Sequence, residues 1–296
     1  MLKSIDRGVL LMFLATFSFA LMGGFVKLLG DKIPSVELTL FRNIFGVAII
    51  LFALYKTPTQ SKGGKPILLF FRGFMGFLAL LAYFYNMAHI PLGVATTYNK
   101  TSPLFLAFFA WIFLGEKLPK TAILALIFGF IGIALIAKPD GFNLDKYTIL
   151  GLFSGIGAAL AYTSIRELRN YYDTRVIALS FMSVGTIGPI ILLTLSNYFT
   201  FDKNLDFIYA KFIMPSGIEW LYLSAIGIFA TISQLLMTKA YTLTKAGIIG
   251  TITYTQILFG TIVGVYLGDK YPDLYTIGGM LLIILAGVLV VVPKSK

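Results

Sequence analysis

Residues 95–115 read ATTYNKTSPLFLAFFAWIFLG, an apolar stretch with Lys100 inside it. The apolar run extends from about Leu92 to Leu114, and roughly 20 residues cross the hydrocarbon of a bilayer as a helix. Lys100 is too far from either end to lift its ammonium into water by snorkelling. A cation at such depth costs about 2.5–3.5 kcal/mol on insertion scales. A water-filled cavity, a counter-ion or an anionic ligand can offset that cost. This stretch therefore points to a membrane protein with a polar pathway through it.

Composition agrees with that reading. Of 296 residues, 58% are hydrophobic and 12% are charged, against about 25% charged in soluble domains. Lipid must solvate most of so much apolar surface. The absence of cysteine excludes disulfides and thiolate metal sites, and the single histidine, His89, excludes a histidine-rich metal centre. No metal and no cofactor is expected. The N-terminal run from Gly8 to Leu29 is about twice as long as a signal-peptide core, so it is expected to be a retained first span.

Apolar segments lie near 8–29, 35–55, 67–88, 92–114, 121–137, 147–165, 176–199, 218–238, 248–267 and 274–292. With the N-terminus placed in the cytoplasm, alternate connections carry fourteen cations inside and six outside. The positive-inside rule then predicts ten spans with both termini cytoplasmic. The net charge of +11 thus orients the chain in a membrane, and no nucleic-acid partner is expected. Four cations remain inside spans: Lys27, Arg42, Arg72 and Lys100.

The chain repeats itself. LGEKLP, Leu114 to Pro119, returns as LGDKYP, Leu267 to Pro272, at an offset of 153. Each copy is followed by an apolar helix ending in proline, GIALIAKP and GVLVVVP, and Lys27 falls opposite Arg166. Halves of five helices each, 1–140 and 141–296, force the second copy to enter the membrane inverted. Inverted repeats are common in secondary transporters, with the substrate site between the repeats near the midplane. The fold expected is an all-α membrane protein of ten transmembrane helices in two inverted five-helix repeats.

These features resemble the drug/metabolite transporter superfamily, EamA type. The LG[ED]KxP turns carry the resemblance most specifically. SVELTLFRNIFGVAII and FFRGFMGFLALLAYFYNMAHIPLGVATT are similar to its S-adenosylmethionine uptake carriers and amino-acid exporters. The resemblance implies a ten-helix basket whose cavity is lined by helices one, three, four, six, eight and nine. It leaves the substrate open.

Around Lys100 stand Asn99, Thr97 and Tyr98. Pro103 lacks an N–H and crowds the carbonyl of Asn99, which predicts a broken helix. Irregular backbone at membrane depth is tolerated only around a cavity or in the protein interior. The competing reading of Lys100 is structural, an ammonium bonded to buried carbonyls. In the second repeat Thr253 matches Lys100 and Gln256 matches Pro103, with Tyr254 between them. Tyr83 and Asn86 on helix three, Tyr162 on helix six and Gln234 on helix eight complete the candidate substrate contacts. Arg42 is expected to brace neighbouring helices, and Arg72 to snorkel to the cytoplasmic headgroups. Gly151, Gly155, Gly260 and Gly264 form small-xxx-small ridges for close or sliding contacts.

No carboxylate is placed mid-membrane, so a proton relay is not expected. No GxxxxGK[ST] loop occurs, and no Ser-His-Asp set can be assembled in the membrane. The reading is a multi-pass carrier of the bacterial inner membrane, a monomer working by alternating access. Its substrate is expected to be a small polar metabolite resembling an amino acid, S-adenosylmethionine or a nucleotide. A drug or metabolite exporter, a channel or scramblase, and a membrane enzyme are the alternatives.

Overall fold

The computed structural model describes residues 7–59, 61–114, 120–137, 145–199, 205–243 and 252–291. The regular structure there is helical, with no strand among the described residues. The helices are α1 (Arg7–Leu29), α2 (Ser35–Lys56), α3 (Pro66–His89), α4 (Leu92–Asn99), α5 (Ser102–Leu114), α6 (Lys120–Ala137), α7 (Lys146–Leu168), α8 (Thr174–Leu195), α9 (Gly217–Leu243), α10 (Thr255–Tyr266) and α11 (Leu274–Val291).

Helix starts follow from local chemistry. Asp145 accepts from the Thr148 N–H at 2.8 Å and Asp173 from the Arg175 N–H at 2.8 Å, so each aspartate caps the free donors of α7 or α8. Pro66 opens α3, where its missing N–H is no loss. Beyond α10 the chain turns through Gly268 at φ +100, a conformation that a side chain would strain.

Among the described residues, six helices are long and apolar enough to cross a membrane: α1, α2, α3, α7, α8 and α9. The other apolar segments are shorter for identifiable reasons. The fourth is cut at Lys100 and Thr101 into helices of 8 and 13 residues. The ninth begins outside the described residues, and its remainder forms the 12 residues of α10. α6 and α11 have 18 residues each, about 27 Å at 1.5 Å per residue.

The packing pairs are ordered. α1 lies on α9 and α3 on α7; α2 meets α8, and α6 meets α11. α4 lies against α10, α1 also against α10, and both α4 and α5 against α7. The tightest of these crossings depend on glycine. A Cβ on Gly132 of α6 would come 2.8 Å from the Gly279 oxygen of α11, and one on Gly279 would come 2.6 Å from the Gly132 oxygen.

The core is apolar on both sides of this arrangement. Met22, Val26, Leu38, Phe84, Leu92 and Ile226 bury one cluster between α1, α2, α3, α4 and α9. Tyr98, Ile133, Tyr254, Ile257 and Ile283 bury another between α4, α6, α10 and α11. Large apolar side chains such as Phe52, Phe70, Ile187, Ile262 and Leu281 are exposed, as expected of surfaces that lipid covers.

Candidate functional site

The break in the fourth apolar segment comes where Pro103 requires it. α4 ends at Asn99, and Lys100 caps it with its N–H on the Thr96 oxygen at 2.9 Å. Thr101 closes the turn by donating from Oγ1 to the Tyr98 oxygen at 2.6 Å. α5 then restarts at Ser102. The second copy repeats the geometry, because α10 restarts at Thr255 after a turn at Thr253 and Tyr254. Ser102 and Thr255 are 153 positions apart, the offset of the sequence repeat.

Two glycine ridges press on these breaks. A Cβ on Gly151 would come 2.6 Å from the Tyr98 ring, and one on Gly155 would come 2.9 Å from the Tyr98 oxygen and run into Thr101 Oγ1. α7 therefore rests directly on the break. On the other side, a Cβ on Gly260 would come 3.0 Å from Thr96 Oγ1, and one on Gly264 would come 3.1 Å from Leu92 Cβ. α4 is thus held between α7 and α10.

Lys100 makes no side-chain hydrogen bond and no ion pair among the described residues. Close to the same break lies a polar chain. Tyr83 Oη meets Thr96 Oγ1 at 3.2 Å, and the Gln256 amide donates to Tyr83 Oη at 3.5 Å. Thr16 of α1 reaches Thr255 of α10 at 2.8 Å.

One end of the fold, where α1, α3 and α10 finish, is latched. Lys27 pairs with Asp269 at 2.6 Å and donates to the Ile90 oxygen at 3.1 Å, while the Leu92 N–H donates to Asp269 at 2.8 Å. A cleft of about 340 Å³ opens beside this latch, lined by Gly93, Val94, Thr261, Val265 and Asp269 among others. At the opposite end Lys65 pairs with Glu167 at 2.7 Å, and Arg175 donates to the Thr57 oxygen at 2.9 Å. The carboxylate of Glu167 pushes the Lys65 pKa up.

A family model described as "EamA-like transporter family" matches twice, over residues 6–138 and 145–292. The chain belongs to the EamA-like transporter family. It is 33% identical over 302 residues to an uncharacterised transporter of Helicobacter pylori (strain ATCC 700392 / 26695), covering 99% of this chain and 97% of that one. It is 33% identical to the pseudopaline exporter CntI of Pseudomonas aeruginosa (strain UCBPP-PA14), over 96% of each. An S-adenosylmethionine uptake transporter of Rickettsia felis matches at 22% identity over 91% of this chain and 87% of that one. A solved crystal structure shares the fold, with a TM-score of 0.56 at 18% identity, covering 97% of this chain and 96% of that one. This EamA-like chain is therefore a multi-pass integral membrane transporter of the drug/metabolite superfamily, and it is not an enzyme.

The candidates named from sequence fall into two groups in this EamA-like fold. Tyr83 and Gln256 come together as described, with Lys100 and Asn99 on the break between α4 and α5, while Tyr162 is half exposed on α7. Gln234 is part-buried on α9. The others are packed. Thr97 is fully buried and donates to the Gly93 oxygen of its own helix at 2.7 Å. Asn86 is fully buried and donates to the Tyr147 oxygen at 2.8 Å. Tyr98 meets Thr148 at 3.1 Å, and the Tyr254 ring fills the space that Gly287 leaves free. Thr96 escaped the sequence reading, although it sits beside Thr97. Which threonine faces a neighbouring helix depends on the helix phase, and the break resets that phase.

The expectation for Arg72 is overturned. It does not snorkel: it is 8% exposed, with its guanidinium 4.9 Å from the centre of the Phe181 ring. Gly76, one turn further along α3, leaves the room that the guanidinium occupies. The sequence signal was there in FRGFMGF, a long cation followed at i+4 by a glycine. Arg42 donates to Asn43 Oδ1 at 2.7 Å, and Asn43 in turn donates to the Gly185 oxygen of α8 at 3.0 Å.

Proposed function

We propose that the chain is a secondary carrier of a small, polar, acid-bearing metabolite in the bacterial inner membrane, working by alternating access. The observation that carries this is Lys100. It stands where a helix breaks within a long apolar segment, and no carboxylate pairs with it among the described residues. An intramembrane cation without a protein counter-ion is a functional site by default. The anion that completes it comes from the solute, as a carboxylate or phosphate.

The reading includes ten spans in two inverted halves, 1–140 and 141–296, with both termini cytoplasmic and one chain as the working unit. The packing supports it, since exchanging the halves turns α1 on α9 into α7 on α3 and leaves α6 on α11 and α2 on α8 unchanged. The two breaks at one repeat offset support a substrate site between the halves. The Lys27–Asp269 pair then closes the outer entrance. Export is favoured over uptake by the greater likeness to the pseudopaline exporter, 33% identical, than to the S-adenosylmethionine uptake carrier, 22% identical.

Counterflow in proteoliposomes tests this. Vesicles loaded with an acidic metabolite, such as succinate, a phosphorylated nucleoside or an acidic amino acid, should accumulate the labelled form with saturable kinetics. Flux that rises linearly with concentration for every solute would favour a channel and overturn the carrier reading.

A further inference from the structure

Two buried arginines share one aromatic ring. Arg42 of α2 and Arg72 of α3 lie 5.4 and 4.9 Å from the centre of the Phe181 ring of α8. They are 7% and 8% exposed. A guanidinium carries five N–H donors, yet Arg42 uses one bond, to Asn43, and Arg72 makes none among the described residues. The Nε of each is buried and unpartnered. No carboxylate pairs with either among the described residues. Two like charges on one ring repel, and a ring face attracts each only weakly.

Gly76 leaves the room that the Arg72 guanidinium takes. A Cβ on Gly76 would run into the Arg72 guanidinium and lie 2.8 Å from the Phe181 ring.

We propose that Arg42 and Arg72 form an anion subsite distinct from Lys100, which takes a carboxylate or similar planar anion of the transported solute. Phe181 is its floor. The guanidinium fork suits a carboxylate because it can donate two parallel bonds. Only the word "transported" rests on the carrier reading; binding itself is tested without transport.

The test uses the purified full chain in neutral detergent. Thermal midpoints are measured against succinate and phosphate, with succinamide as the uncharged control. An anion that binds the folded state raises the midpoint. The expected result is a rise with succinate or phosphate, none with succinamide, and an affinity roughly ten- to hundredfold weaker in Arg42→Gln and Arg72→Gln, the range for losing a charge-assisted hydrogen bond. Arg72→Lys should recover part of that loss. Without ligand, Arg72→Gln should melt no lower than the wild type, because it removes an unpaired charge. A lower ligand-free midpoint with unchanged affinity would make the arginines structural and overturn the proposal. If Lys100→Met loses affinity while both glutamine variants keep it, the subsite falls and the Lys100 reading stands; the reverse pattern keeps the subsite and removes Lys100. No response of the wild type to either anion sinks both. A midpoint raised only by phosphatidylglycerol, in an Arg72-dependent way, would make this a lipid headgroup site and overturn the solute assignment.

Discussion

Gly155→Ala tests whether the break at Lys100 is held in place by α7. The added Cβ would lie 2.9 Å from the Tyr98 carbonyl oxygen and against Thr101 Oγ1. The oxygen is backbone and already accepts the Thr101 hydroxyl at 2.6 Å, so it cannot swing aside. Ordinary contacts sit near 3.5–4.0 Å, so α7 must withdraw by roughly half an ångström or more. Overpacking of this kind costs about 1–3 kcal/mol. The control is Gly278→Ala on α11, where the new Cβ meets only Leu135 at 3.8 Å. There helix propensity should dominate and stabilise by up to about 1 kcal/mol. Thermal unfolding of the purified variants should therefore move in opposite directions. Adding Thr101→Ala to Gly155→Ala should restore part of the loss, since it removes one of the two contacts. Equal midpoints for Gly155→Ala and Gly278→Ala would refute the claim that α7 rests on the break.

Other consequences can be measured on the same preparations. The chain has no cysteine, so Lys62→Cys and Met214→Cys report sidedness directly; an impermeant thiol reagent on intact cells should label the second and spare the first. Asp269→Asn removes the charge that faces Lys27 at 2.6 Å, and should raise the rate at which outside reagents reach a cysteine at Thr261. Glu37 is fully buried and accepts the Ile213 N–H at 3.0 Å; Glu37→Gln keeps that acceptor and should transport normally, whereas Glu37→Ala should lose about 1–3 kcal/mol of stability from the unpaired donor. Arg175 lowers the Asp173 pKa through hydrogen bonds at the start of α8. That stability is present above the ordinary aspartate pKa of about 3.9 and fades as pH falls through the lower folded value; the pair is partly exposed, so Asp173→Asn should cost no more than about 1 kcal/mol at neutral pH and nothing in strong acid.

Some features were legible because one residue dictates them. Pro103 cannot donate, so the fourth segment had to break just before it, and it breaks at Lys100 and Thr101. Gly151 and Gly155 read as a packing ridge because no other residue type permits such an approach, and they meet Tyr98 and Thr101. The LG[ED]KxP turns carried the family. What was not legible depends on direction and depth. Arg72 sits near a helix end, and spacing alone could not show that its side chain bends inward over Gly76 to Phe181 rather than outward to headgroups. Thr96 and Thr97 are adjacent, and only the packing of α4 on α10 decides which one meets a partner. Asp269 read as part of a turn; its role in holding Lys27 requires α1 and the end of α10 to be neighbours in space.

The central claim is that the Lys100 ammonium meets the anionic group of the solute. Lys100→Met, measured for folded yield and for affinity on the same sample, tests it most directly. Normal or better yield is expected, because a cation costing about 2.5–3.5 kcal/mol to insert has gone. Also expected is an affinity for acidic solutes about ten- to hundredfold weaker, the equivalent of about 1.5–3 kcal/mol. Lower yield with unchanged affinity in the surviving protein would contradict it, and would make Lys100 a structural residue of the broken helix.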